Sequence, residues 1–151
     1  EGAQTYYGDV VISNNISMTS NNSDIIFYGT VDSANSTRRN LTINLNSAGA
    51  DSITAEVIFG SETAHTIGET NPLGVIIITG NLDLNAAVVD ATSISVSGTS
   101  NLGADVTTTS TQTYTGAVVL GADITLTGTI INTQSTIGSV LNILGSLFFS
   151  L

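Results

Sequence analysis

Lysine, tryptophan and cysteine are absent from this chain, and its only bases are Arg38 and Arg39. Without cysteine there is no disulfide framework, and thiol usage says nothing of the redox compartment. Set against twelve Asp and Glu, the two arginines leave a formal net charge of −10. A phosphate-binding surface needs clustered Lys and Arg to displace counterions, so nucleic acid is excluded as an expected partner and anionic membrane surfaces are disfavoured. With no Lys and four Glu, solvent-facing helical stripes could hardly be written, and helices are not expected. Long apolar runs are missing too. The most apolar stretch, 137–151, is interrupted by Gly138, Ser139, Asn142, Gly145 and Ser146, and falls short of the roughly 18 to 20 residues of a membrane span. Glu1-Gly2-Ala3-Gln4 has neither a basic segment nor an apolar core, so a signal peptide is expected to have been removed or to lie upstream.

What is present points to strands. Of the 151 residues, 41% are apolar and only 9% charged, with abundant Val, Ile and Thr, which suit a pleated, half-buried surface. That length and composition fit one domain with a real core rather than a disordered chain. Apolar runs recur at 10–12, 25–31, 41–45, 57–59, 75–79, 94–96 and 118–120. Most start roughly 15 to 20 residues apart, the size of one turn of a β-solenoid. Leu41-Thr42-Ile43-Asn44-Leu45 and Ile94-Ser95-Val96 alternate with the period of two that places apolar groups on one face. Val75-Ile76-Ile77-Ile78 does not alternate, which predicts a strand covered on both faces. Ser20-Asn21-Asn22-Ser23 and Gly121-Ala122-Asp123 read as corners, and the lone Pro72 as part of a longer, protruding loop.

A long-period repeat is the most informative feature. The segment 4–19, opening Gln4-Thr5-Tyr6-Tyr7-Gly8, aligns without a gap on 112–127, opening Gln112-Thr113-Tyr114-Thr115-Gly116, and about half the positions are identical. Gln4, Tyr6 and Gly8 thus recur as Gln112, Tyr114 and Gly116. The whole chain, 1–151, reads as a single β-repeat domain, with one long repeat over about 4–111 and the start of a second over about 112–151. The pattern Gln-Thr-Tyr-x-Gly-x-Val, continued to Thr127, resembles the repeat unit of filamentous-haemagglutinin-like and autotransporter-adhesin-like exoproteins. That resemblance implies a right-handed parallel β-helix, located outside the cell or on its surface. It also implies a role in adhesion, cell contact or matrix building, with a host-cell or matrix surface as a possible partner.

Candidate chemistry is sparse. Asp83 and Asp90, with Asp105 a turn onward, are the nearest approach to a carboxylate cluster, and read as solvated strand or corner residues rather than a catalytic pair. His65, near Glu62 and Glu69, has no partner His or Cys and reads as a loop residue, not a metal ligand. Asp24, Asp51 and Asp123 could each be a weak calcium ligand, but the nonapeptide calcium signature is missing. Threonines at 107–111 and at Thr125, Thr127 and Thr129 raise an ice-binding reading that the other rungs do not continue. Sequons at Asn15, Asn21, Asn35 and Asn40 are no more than chance in so Ser- and Thr-rich a chain. No catalytic residue, metal or cofactor is expected.

An association surface remains. The carboxyl end, with Val140, Leu141, Ile143, Leu144, Leu147, Phe148 and Phe149, has no polar cap and reads either as an ordinary last strand or as a strand that completes a neighbouring copy. The expectation is therefore an all-β structural or adhesive unit of an extracellular filament, self-associating head to tail as a homopolymer or stacking on neighbouring repeats of the same chain. Within architecture the alternative is an antiparallel β-sandwich subunit with strand donation, although the Asn-Gly hairpins it needs are absent. From another class, the alternative is a carbohydrate-binding or carbohydrate-cleaving β-helix, for which the four tyrosines offer little stacking surface.

Overall fold

The structure, a computed structural model, describes residues 2–46, 55–60, 65–139 and 147–150. Short β-branched and apolar segments separated by Gly, Asn, Asp and Ser form strands of a few residues, each ended by a corner residue that leaves the ladder. Three such strands make one rung. The first rung is β1 (Gln4–Tyr6), β2 (Val10–Ile12) and β3 (Ile16–Ser20), and the second is β4 (Ile25–Phe27), β5 (Val31–Ser33) and β6 (Arg39–Leu45). The third is β7 (Glu56–Phe59), β8 (Thr66–Ile67) and β9 (Leu73–Thr79). In the fourth, β10 (Asn81–Leu84) is followed by β11 (Ala87–Val96), which runs through a corner and serves two faces. Then come β12 (Ser100–Leu102), β13 (Val106–Thr108) and β14 (Thr111–Tyr114), and after them β15 (Val118–Leu120), β16 (Ile124–Thr127) and β17 (Ile130–Thr133). A seventh rung contributes β18 (Ile137–Ser139) and β19 (Leu147–Ser150).

Every pairing between these strands is parallel, and each joins a strand to its counterpart one rung away. The first face is a seven-stranded sheet in the order β1-β4-β7-β10-β12-β15-β18. The second and third faces are joined through β11 into one twelve-stranded sheet. Among the described residues there is no helix. The chain is thus a three-faced parallel β-solenoid, and the antiparallel sandwich is excluded.

Stacking in register turns the alternation within each strand into columns. Ile25, Val57, Leu82, Ser100 and Val118 stand one above another inside the first face, beside Phe27, Phe59, Leu84, Leu102 and Leu120. Inside the third face run Leu41, Ile76, Ile94 and Gln112, beside Ile43, Ile78, Val96 and Tyr114. These residues are buried, and each fully enclosed aliphatic side chain contributes about 1.5 to 3 kcal/mol of transfer free energy. Tyr6, Phe27 and Phe59 stack as rings with centroids 5.2 and 5.0 Å apart.

Two local expectations are corrected. The strand at 75–78 is not covered on both sides: Ile76 and Ile78 face the core, while Ile77 points outward and is 40% exposed. Ile77 is held there by the ladder, where it stands between Thr42 and Ser95. The Pro72 loop does not stand away from the body either. Its carbonyl accepts the Ser33 hydroxyl at 2.8 Å, and the Asn71 carbonyl accepts the Ser33 amide at 3.1 Å, so the loop lies against the second rung.

The corners carry the close approaches. At the corner leading into the first face, the Gly98 amide donates to the Gly80 carbonyl at 2.9 Å, and a Cβ on Gly98 would sit 2.5 Å from that oxygen. Gly116 repeats the arrangement one rung later, where a Cβ would fall on the Gly98 carbonyl.

Ser100 is the misfit in the first-face core. It is wholly buried between Leu82 and Val118, and its hydroxyl has no partner, whereas buried Ser33 and Ser20 both donate to carbonyls. A desolvated hydroxyl without a hydrogen bond costs about 1 to 3 kcal/mol. Ser100→Ala is expected to raise stability by about 1 kcal/mol in urea unfolding, while Ser33→Ala lowers it by a similar amount. A less stable Ser100→Ala variant would show that the hydroxyl is satisfied.

Candidate functional site

The two copies of the Gln-Thr-Tyr motif occupy different faces. Gln4–Tyr6 is β1 on the first face, whereas Gln112 and Tyr114 lie in β14 on the third. What the copies share is a bond. Gln4 Nε2 donates to the Thr19 carbonyl at 2.8 Å, and Gln112 Nε2 donates to the Thr127 carbonyl at 2.8 Å, each reaching 15 residues along the chain. Thr19 and Thr127 are themselves aligned in the repeat. The motif therefore encodes a staple across a corner, and the staple works from either face.

In the second copy this staple lies inside the core. Gln112 is fully buried; its amide donates also to the Val106 carbonyl at 2.9 Å, and its Oε1 accepts the Tyr114 hydroxyl at 3.1 Å. Burial pushes the Tyr114 phenol well above its ordinary range, so it remains a neutral donor. The arrangement satisfies Tyr114 and two backbone carbonyls with one side chain, and nothing in it is free to react.

Asp and Asn side chains form the second recurrent device. The carboxylate or amide oxygen of Asp9, Asn15, Asp24, Asn40, Asn81 and Asp105 accepts the backbone amide of Thr30, Asn40, Glu56, Val75, Thr99 and Thr125, at 2.7 to 2.9 Å. In each case the side chain belongs to the earlier rung and the amide to the later one. The Thr30 amide holds the Asp9 carboxyl below its ordinary value, so this bond stabilises the fold above the usual carboxylate range and is lost as pH falls through the lowered value.

The carboxylates weighed as a catalytic group are each engaged by partners of their own. Asp83 accepts Asn85 at 3.0 Å and Asn101 at 2.9 Å, and Asp105 takes part in a corner stitch. Asp90 receives Arg38 through both carboxylate oxygens at 2.9 Å, while Arg38 also donates to the Leu73 carbonyl at 3.0 Å. One guanidinium thus clamps three successive rungs. The Arg38–Asp90 pair lies 52 residues apart in sequence, with no local signal to announce it. His65 precedes β8, half-buried, with the Asp9 carboxylate in its electrostatic reach. Of the calcium candidates, Asp24 is a stitch, Asp123 is engaged in an interaction of its own, and Asp51 lies outside the described residues. Among the described residues no three His, Cys, Asp or Glu side chains gather as a metal-holding group.

Asn15 and Asn40, two of the sequon residues, are stitches; Asn21 accepts Asn46, and Asn35 caps the Thr37 amide. Of the threonines weighed for an ice face, Thr107 stands in register with Thr127 on the second face, but the outward positions of that face are Val11 and Asp32 in the first two rungs, so they form no continuous threonine face. Of the carboxyl-terminal candidates, Val140, Leu141, Ile143 and Leu144 lie outside the described residues. Leu147, Phe148 and Phe149 belong to β19, which pairs in parallel with β16, Leu147 opposite Ile124 and Phe149 opposite Leu126.

Two outcomes follow from these contacts. Gln112→Ala leaves a buried phenol and two carbonyls without partners and is expected to cost about 3 kcal/mol in chemical denaturation, whereas Gln4→Ala, on an exposed bond, costs under about 1 kcal/mol. Equal losses would refute the buried-network account. Glu56 is pushed above its ordinary 4.5, first by burial and then by the carboxylates of Asp83 and Asp24. Its ionised form therefore strains the fold: the contribution is intact below pH 4.5 and lost as pH rises through the raised value. Glu56→Gln is expected to melt higher than the parent at pH 7 and level with it below pH 4.5, and a constant difference across that range would contradict the assignment.

No protein-family model, curated protein or solved structure matches the chain.

Proposed function

We propose that this chain is a structural and adhesive unit of a bacterial surface fibre or extracellular filament, stacking end to end with further copies of itself. The observation that carries the reading is the rung-on-rung ladder itself: every pairing among the described strands is parallel and joins one rung to the next, and the buried columns run on through successive rungs. A stack of this kind lengthens by adding rungs, with no change of fold.

The disposition of the polar side chains supports architecture over catalysis. Gln112, Arg38, Asp90 and the corner Asp and Asn residues bond to neighbouring rungs rather than converging on a common space. The resemblance of the Gln-Thr-Tyr repeat to filamentous-haemagglutinin-like exoproteins supports the extracellular and adhesive part of the reading. Carbohydrate binding stands second, on one feature: Tyr7, 82% exposed, stacks on Tyr28 with ring centroids 5.3 Å apart.

Negative-stain electron microscopy of the purified chain at neutral pH, beside a form truncated before Val140, tests the proposal. Filaments from the full sequence that vanish on truncation are expected. Discrete particles from both forms would remove the fibre reading.

A further inference from the structure

The number of sequons carries no information, but their placement in the fold does. Each is the tripeptide Asn-x-Ser/Thr that asparagine glycosyltransferases accept, and a folded chain presents it only where it stands clear of the ladder. Asn40 fails that condition: Leu41 and Thr42 lie in β6, and the Asn40 oxygen accepts the Val75 amide at 2.9 Å. Asn15 fails it too, since Ile16 and Ser17 pair with Leu41 and Thr42 and its oxygen accepts the Asn40 amide at 2.8 Å. At Asn21 the carboxamide oxygen is taken by Asn46 of the next rung at 3.1 Å, and Asn22 bends the tripeptide aside with a left-handed φ of 53°.

Asn35 differs in each respect. Asn35-Ser36-Thr37 lies between β5 and β6, in a corner segment whose residues 34–37 are all exposed. Its oxygen accepts the Thr37 amide at 2.9 Å, inside the tripeptide itself, and among the described residues its carboxamide makes no bond to another rung. Thr37, whose hydroxyl completes the acceptor, is thereby drawn back toward the Asn35 side chain, and Nδ2 is left without a partner among the described residues. The segment is also braced on both sides. The Ala34 amide donates to the Ile12 carbonyl at 2.9 Å, the Arg39 amide donates to the Ser33 hydroxyl at 3.1 Å, and Arg38 reaches both Leu73 and Asp90. An enzyme can meet this tripeptide with no strand opened.

We infer that Asn35 is an acceptor site for N-linked glycosylation of the folded chain. The inference goes beyond the fibre reading and does not rest on it. Because the site needs no unfolded chain, the donor that fits is a soluble nucleoside-diphosphate sugar. Asn35 Nδ2 displaces the nucleoside diphosphate at the anomeric carbon: the N–C bond forms as the C–O bond to phosphate breaks, the diphosphate leaves with the electron pair, and one amide proton passes to a base of the transferase. Nothing is oxidised or reduced. The saccharide stands at the corner between the second and third faces, where its addition displaces no ladder bond.

The test incubates the purified folded chain with a soluble asparagine glycosyltransferase and UDP-glucose, beside synthetic peptides that each carry one of the sequons, and locates the attached hexose by peptide mass spectrometry. Each rate on the chain is divided by the rate of its own peptide. The ratio at Asn35 is expected to exceed those at Asn15, Asn21 and Asn40 at least about tenfold, because a sequon bonded to a neighbouring rung must open locally before it reacts. Asn35→Gln and Thr37→Ala are expected to abolish modification of the folded chain with unchanged circular dichroism, and Thr37→Ser, which keeps the hydroxyl, to retain it. A folded chain left unmodified at Asn35, an Asn35 peptide that accepts no sugar, or equal ratios at all the sequons overturns the assignment.

Discussion

Everything in this structure depends on the parallel hydrogen-bonded ladder from one rung to the next. A three-residue strand has too few backbone bonds to persist alone, and its amides and carbonyls must be satisfied by neighbours above and below. Once the ladder fixes register, identical positions of successive rungs come into contact, and each inward column becomes a continuous apolar stack. Core packing is therefore a consequence of register, and register is what the polar residues enforce.

The corner stitches give that register a direction. Because the Asp or Asn oxygen of these stitches is on the earlier rung and the amide on the later one, a slip by one residue would separate two acceptor–donor pairs at the junction of the first and second rungs, and two more at that of the second and third. Glycine adds a steric constraint at the same corners, since Gly98 and Gly116 admit a neighbouring backbone where any side chain would collide. The Gln112 staple and the Arg38–Asp90 clamp lock two further places along the stack. The abundance of Asn and Asp and the scarcity of Lys and Glu thus have a physical reading. Short side chains reach an amide one ladder spacing away, about 4.8 Å, while long flexible ones lose more entropy in doing so.

Strand type and solenoid class were legible because alternation and corner composition are local: Leu41 to Leu45 and Ile94 to Val96 display their buried faces in the sequence itself. The three-strand rung was less legible. A run such as 25–31 reads as one strand, yet Tyr28, Gly29 and Thr30 turn a corner between β4 and β5. The apolar Ile77 gave a false signal of double burial, since nothing in composition distinguishes an outward isoleucine from an inward one when its neighbours are also isoleucines. The Arg38–Asp90 clamp was invisible because its distance in space is set by two rung-to-rung steps of unequal length, from Arg39 to Leu73 and from Leu73 to Ala91. For the candidate site, the sequence supplied the motif and its aligned residues, but only the structure supplies their difference in burial.

The sequence repeat and the structural repeat need not share a period, and here they do not. In the later half of the chain one rung takes about 18 residues, as Thr99 above Asn81 and Asn101 above Asp83 illustrate, while the stitch from Asp24 to Glu56 spans 32. Unequal rungs let the aligned motif return on the third face instead of the first. That displacement is tolerated because the motif specifies a relation between neighbours that both copies make: a glutamine and a carbonyl 15 residues on. All three faces offer the same parallel ladder, so the relation holds on any of them. A solenoid built on such face-independent rules accepts corners of unequal length without losing its core, as the spans of 32 and 18 residues between stitched rungs show.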